Sequence, residues 1–141
     1  MSLKNFFDFN LQTLKQFLTA DLNIEEKKTS MRAKQLWQAI YKKLGKEYGP
    51  IDIVFVNIGA YEPVDIMKYS HANPAEALDI ARNLKAKKVI GTHWGTILMS
   101  LEDPFEPPTK FLVNAKNYGY QEKDTILFKI GETKTIKQIL S

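Results

Sequence analysis

The sequence predicts an α/β fold: a helical segment, then a strand–helix–strand–helix–strand run. Apolar residues recur at three- and four-residue spacing through the first third, and two short β-branched runs flank a stretch with a clear helix start. The net charge of +4 also sits entirely at the front. Residues 1–48 hold nine basic and five acidic side chains, whereas residues 49–141 hold eleven of each. That asymmetry suggests two parts, and the chain is read as a helical segment, 1–44, followed by an α/β domain, 45–141.

Asn10 is placed to cap a first helix whose Leu11, Leu14, Phe17 and Leu18 share one face. A second helix is expected from Thr29 or Ser30 to Leu44. Its inner stripe is Ala33, Leu36, Trp37, Ile40 and Tyr41, and Gly45 is placed to end it. Arg32, Lys34, Lys42 and Lys43 fall mostly outside that stripe. Such cations are either a solvated helix face or a phosphate-neutralising surface for RNA, and the sequence leaves both open.

Ile51 to Ile58, bounded by Gly49-Pro50 and Gly59, reads as a buried strand. Asn73 followed by Pro74 opens a helix through Leu84, with Ala77, Leu78, Ile80, Ala81 and Leu84 as its apolar set. Lys88 to His93 is a second strand, and this spacing argues a crossover within one sheet. Pro107-Pro108 precede a helix to Asn117 that Gly119 stops. Thr125 to Ile130 is a third strand, and Thr133 to Ile139 a last strand or tail. The helices at 74–84 and 108–118 are expected to pack on one face of the sheet.

The 141 residues suffice for one domain with a real core, and 44% hydrophobic with 26% charged residues is ordinary for a globular protein. The absence of cysteine excludes disulfides, iron–sulfur clusters, cysteine–zinc sites and thiol nucleophiles. No apolar run approaches the ~18 residues of a membrane span. Met1-Ser-Leu-Lys-Asn-Phe-Phe-Asp8 has no apolar secretion core, so a cytoplasmic protein without a transmembrane segment is expected.

Both histidines lie in the second part. His93 stands at the C-terminal end of a strand, ahead of Trp94-Gly95-Thr96, and His71 lies in the loop from Gly59 to Asn73. A catalytic zinc generally takes three protein ligands and keeps an open position for water. No HxH, HExxH or HxxxH spacing occurs, so the sequence disfavours a self-contained zinc site.

Gly49-Pro-Ile-Asp52, Ile58-Gly-Ala-Tyr-Glu-Pro63, Met67-Lys-Tyr-Ser-His-Ala-Asn-Pro-Ala-Glu-Ala77, Thr92-His-Trp-Gly-Thr96, Glu106-Pro-Pro108 and Gly131-Glu132 occur in that order. From Gly45 to Thr135 they resemble the C-terminal part of metallo-β-lactamase-fold hydrolases of the N-acyl-phosphatidylethanolamine phospholipase D-like group. The resemblance implies part of a four-layer αββα sandwich. It also implies a phosphodiesterase chemistry in which two metals, usually zinc, activate water. By position His93 would ligate a metal, and His71 would act catalytically at the substrate phosphate. The family's H-x-H-x-D-H run, its further histidine and its bridging aspartate do not occur in this chain. One imidazole holds zinc weakly, so the chain is expected to be incomplete and inactive alone. With one sheet missing, an apolar sheet face would remain, to be covered by the helical start, a second copy or a complementing N-terminal half.

Asp8-Phe-Asn-Leu11, Leu14, Phe17-Leu18, Arg32-Ala-Lys-Gln-Leu-Trp37 and Ile40-Tyr41 are similar to the N-terminal helical domain of radical-SAM 23S rRNA adenine-C2 methyltransferases, over about residues 3–44. That resemblance implies weak RNA contact through Arg32, Lys34, Lys42 and Lys43. Radical-SAM methyl transfer itself is excluded, because its cluster needs cysteine. The competing readings are a hydrolase-related protein completed by another chain, a small RNA-binding or interaction module, and a fusion remnant without activity.

Overall fold

A computed structural model of the chain describes residues 11–20, 23, 25–68, 70–98 and 100–141. Within the two N-terminal helices it leaves out the side chains of residues 11, 12, 14, 26, 27, 29–31, 33 and 34. The expected Asn10 cap and the side chains of Leu11, Leu14, Ala33 and Lys34 therefore lie outside the described residues. Helix α1 spans Leu11–Ala20 and packs against α2, Glu26–Glu47. Leu18 of α1 is buried.

α2 starts earlier than the expected Thr29 or Ser30 and runs straight through Gly45. The reason is packing. A Cβ on Gly45 would lie 2.1 Å from the carbonyl oxygen of Asn83 and 2.9 Å from the backbone of Leu84. Glycine here permits a close helix approach rather than ending the helix. α2 ends at Tyr48, whose N–H donates to the Leu44 carbonyl, two residues before Pro50.

Strand β1, Ile53–Asn57, is shorter than the expected 51–58. Lys87 and Lys88 N–H nevertheless donate to the Ile51 and Asp52 carbonyls, and Ile58 N–H donates to Thr92. A short helix α3, Val64–Met67, interrupts what the sequence presents as one loop. Helix α4, Pro74–Asn83, begins as expected: Asn73 Oδ1 accepts from Glu76 N–H, and the Glu76 side chain accepts from Asn73 N–H. Strand β2, Lys88–Thr92, pairs in parallel with β1, and helix α5, Glu106–Ala115, continues as a 3-10 turn to Tyr118 before Gly119 at φ 88°.

Strand β3 covers only Thr125–Leu127, not 125–130, and among the described residues pairs with β2 alone. Glu132 N–H donates to the Lys129 carbonyl and Gly131 takes φ 81°, so the chain turns where the strand was expected to continue. The expected last strand or tail is instead helix α6, Ile136–Leu140. Thr135 and Gln138 form a capping box there and Ile139 is buried, so local capping outweighs the β-branched composition.

The sheet order is β1-β2-β3, all parallel. Its core face carries Val54, Val56, Val89 and Leu127 beneath Ala77, Leu78 and Ala81 of α4 and Phe111 and Ala115 of α5. Both helices thus pack on one face, as the sequence predicts. The other face bears Phe55, Ile90 and Ile126 in register. Ile90 is closed over at 1% exposure, whereas Phe55 at the β1 edge is 62% exposed. Among the described residues no helix is long and apolar enough to cross a membrane.

Candidate functional site

Parallel pairing puts the C-terminal ends of β1 and β2 side by side, so the loops that carry the two histidines leave the sheet together. These loops run in direct backbone contact: a Cβ on Gly59 would lie 2.1 Å from the His93 carbonyl oxygen. Ala60 and His93 both adopt left-handed backbone, at φ 61° and 62°. Such geometry costs of order 1–3 kcal/mol per residue and persists where surrounding contacts impose it.

His93 lies just past β2 and is exposed, and its ring meets the edge of His71 with centroids 5.2 Å apart and planes at 81°. His71 comes from the other loop. Its N–H donates to the Met67 carbonyl at the end of α3, and its Nδ1 shares a hydrogen bond with Ser70 Oγ at 3.0 Å. Burial lowers the His71 pKa, the neighbouring His93 lowers it further, and Glu102 opposes both. A neutral ring at pH 7 follows, able to accept a proton or a hydrogen bond.

Glu102, in the segment after β2, is buried at 8% exposure. Its Oε1 accepts from Ala60 N–H at 2.6 Å and Ser100 Oγ at 2.8 Å, and its Oε2 from Glu62 N–H at 3.0 Å. Burial pushes its carboxyl up. The hydrogen bonds from Ser100 and from backbone N–H groups outweigh that and hold it below the ordinary range. Beside it the buried Tyr61 donates to Glu106 Oε1 at 2.5 Å, and Lys110 Nζ reaches the same oxygen at 2.6 Å. Burial and then the Glu106 hydrogen bond raise the Tyr61 pKa well above 10, so the phenol stays protonated.

A cleft of about 380 Å³ opens beside these groups, lined among others by His93, Trp94, Thr96, Ser100, Glu102 and Pro107. This volume lies within the range of small-molecule sites, about 300–1,000 Å³. Trp94 Nε1 donates to the Gly91 carbonyl, which fixes one wall.

The structure brings His71 and His93 together and places the cations on a different element. Arg32, Lys42 and Lys43 are exposed on α2. Arg32 donates to Gln35, and Lys43 is 3.8 Å from Glu47. Sequence reasoning missed Glu102, whose only local signal is a nearby serine, Ser100.

Among the described residues no three His, Cys, Asp or Glu side chains gather to hold a metal ion. Two imidazoles fall short of the three protein ligands of a catalytic zinc, and the Glu102 oxygens are engaged by Ala60, Glu62 and Ser100. The described residues therefore do not fit a self-sufficient zinc site.

A family model described as "Beta-lactamase superfamily domain" matches residues 37–94, a span that includes both histidines and leaves residues 1–36 outside. The chain is 38% identical over 85 residues to N-acyl-phosphatidylethanolamine-hydrolyzing phospholipase D 1 of Caenorhabditis elegans, covering 60% of this chain and 24% of that protein. It is 33% identical over 90 residues to the mitochondrial N-acyl-phosphatidylethanolamine-hydrolyzing phospholipase D of Saccharomyces cerevisiae, covering 64% of this chain and 19% of that protein. The chain thus spans 24% or less of the length of these curated relatives. The matches support a hydrolase-family relationship, and the small parallel sheet is consistent with a partial metallo-β-lactamase-type α/β fold.

Proposed function

We propose that this chain is a hydrolase-related protein of phosphodiesterase type that supplies part of a metal-dependent centre and is inactive alone. The convergence of His71 and His93 at the ends of two parallel strands is the observation that carries this reading. What the two relatives are named for, hydrolysis of N-acyl-phosphatidylethanolamine, supports a phosphodiester as the substrate class. His93 is assigned to a metal on completion. His71, neutral at pH 7 and tied to Ser70, is assigned to the substrate phosphate. The remaining ligands come from a complementing N-terminal half.

The test is hydrolysis of an activated phosphodiester with zinc present. The chain alone is expected to show no turnover. Adding a polypeptide with the ligand-rich half of a relative is expected to restore turnover, and His93→Ala in this chain is expected to abolish it again. Turnover by the chain alone would refute incompleteness. Restored turnover that His93→Ala leaves unchanged would refute the role of the pair. As a second proposal, the exposure of Arg32, Lys42 and Lys43 supports weak RNA contact without sequence preference, with Lys34 as a further candidate.

A further inference from the structure

A buried carboxylate is costly unless hydrogen bonds compensate it, so the partners of Glu102 show what its retention accomplishes. Its donors include two backbone N–H groups, those of Ala60 and Glu62, in the loop that leaves β1. Glu102 itself lies in the loop that leaves β2. Leu101 N–H donates in the opposite direction, to the Glu62 carbonyl at 3.2 Å, so the two loops are laced side by side. One of the two amides held by Glu102 belongs to Ala60, which carries the left-handed backbone of this loop. From there the chain leads through α3 to His71, while His93 opens the loop that holds Glu102.

We propose that Glu102 is a positioning residue for the histidine pair: its two carboxylate oxygens fix the Ala60–Glu62 segment against the 93–105 loop and so hold His71 against His93. This rests on the reading that the two histidines act together. Both oxygens must be acceptors, since Oε1 serves Ala60 and Ser100 while Oε2 serves Glu62. Glutamine replaces one acceptor by a donor, so it must release one side of the clasp.

The test is NMR on the full chain. In the unsubstituted protein a ring-to-ring nuclear Overhauser effect between His71 and His93 is expected. In Glu102→Gln it is expected to be lost, while the methyl resonances of Leu78 and Val89 in the core keep their positions. A ring contact that persists undiminished in folded Glu102→Gln overturns the proposal and leaves the pair standing. Absence of the contact in the unsubstituted protein overturns the pair, and the proposal with it. If Glu102→Gln fails to fold, the unsubstituted protein decides through amide exchange. Slow exchange at both Ala60 and Glu62 supports the clasp, and rapid exchange at both overturns it. Ser100→Ala keeps both backbone bonds and is expected to retain the ring contact. Loss of the contact in that variant also overturns the proposal.

Discussion

In α4 the apolar residues Ala77, Leu78 and Ala81 are all at 0% exposure, whereas in α2 Leu36 is 37% exposed and Trp37, Ile40 and Tyr41 are only half-buried. Both helices show an apolar stripe at helical spacing. The difference lies in what each stripe faces. α4 lies on β1 and against α5, with the sheet beneath it, while α2 meets α1 and the side of α4. Part of the α2 stripe is used within the helix, where Trp37 and Tyr41 stack with centroids 5.8 Å apart. An amphipathic pattern thus determines which face of a helix can be buried, and the partner surface determines how far it is.

The sharpest check sets Leu78→Ala against Leu36→Ala. The first removes a fully buried side chain and should cost about 2–5 kcal/mol. The second should stay within about 0.5 kcal/mol. Urea unfolding midpoints at unchanged slope measure both, and equal losses would end the distinction between the helices.

Gly45→Ala tests a place where the two helices meet through backbone. The new methyl would strike Asn83 and Leu84, so a loss of about 1–3 kcal/mol is expected in the same measurement. No loss would mean that α2 is not seated against the end of α4.

A smaller effect appears as pH dependence. The Glu102 carboxyl is held below its ordinary 4.5 in the folded protein, so its stabilisation is present above pH 4.5 and is lost as pH falls through the folded value. The His71 pKa is lowered from 6.5, so folding disfavours its charged form and stability also falls as pH drops below 6.5. Glu102→Gln should remove the first component. Unfolding midpoints recorded from pH 7 to pH 3 would show this, and an unchanged acid limb would contradict it.

The smallest effect expected is on RNA. Binding to a hairpin should be detectable only at low salt and should weaken further in Arg32→Glu with Lys42→Glu. Fluorescence anisotropy at several salt concentrations reads it, and unchanged binding in the double variant would remove α2 from consideration.

Much of this was legible in residue order. Asn73, Pro74 and Glu76 mark the start of α4 through side-chain chemistry that acts within one turn, and Gly119 marks the end of the α5 segment in the same way. Gly45 carried a misleading signal, because glycine serves helix ends and close helix approaches alike. The α6 segment carries a Thr-x-x-Gln capping signature, Thr135 to Gln138, within an Ile- and Thr-rich composition that points instead to a strand, and the capping hydrogen bonds prevail.

The sequence by itself determined the α/β class, the strand-end location of His93, the loop location of His71 and the exclusion of cysteine chemistry. These follow from composition and from periodicities that act over a few residues. Tertiary structure decided that the two histidines face one another, that Glu102 clasps their loops, and that α2 passes through Gly45. Each of these depends on segments far apart in sequence: 22 residues separate His71 from His93, and 42 separate Ala60 from Glu102. Contacts of that range arise from parallel strand pairing, which sets two loops side by side whatever their local propensities.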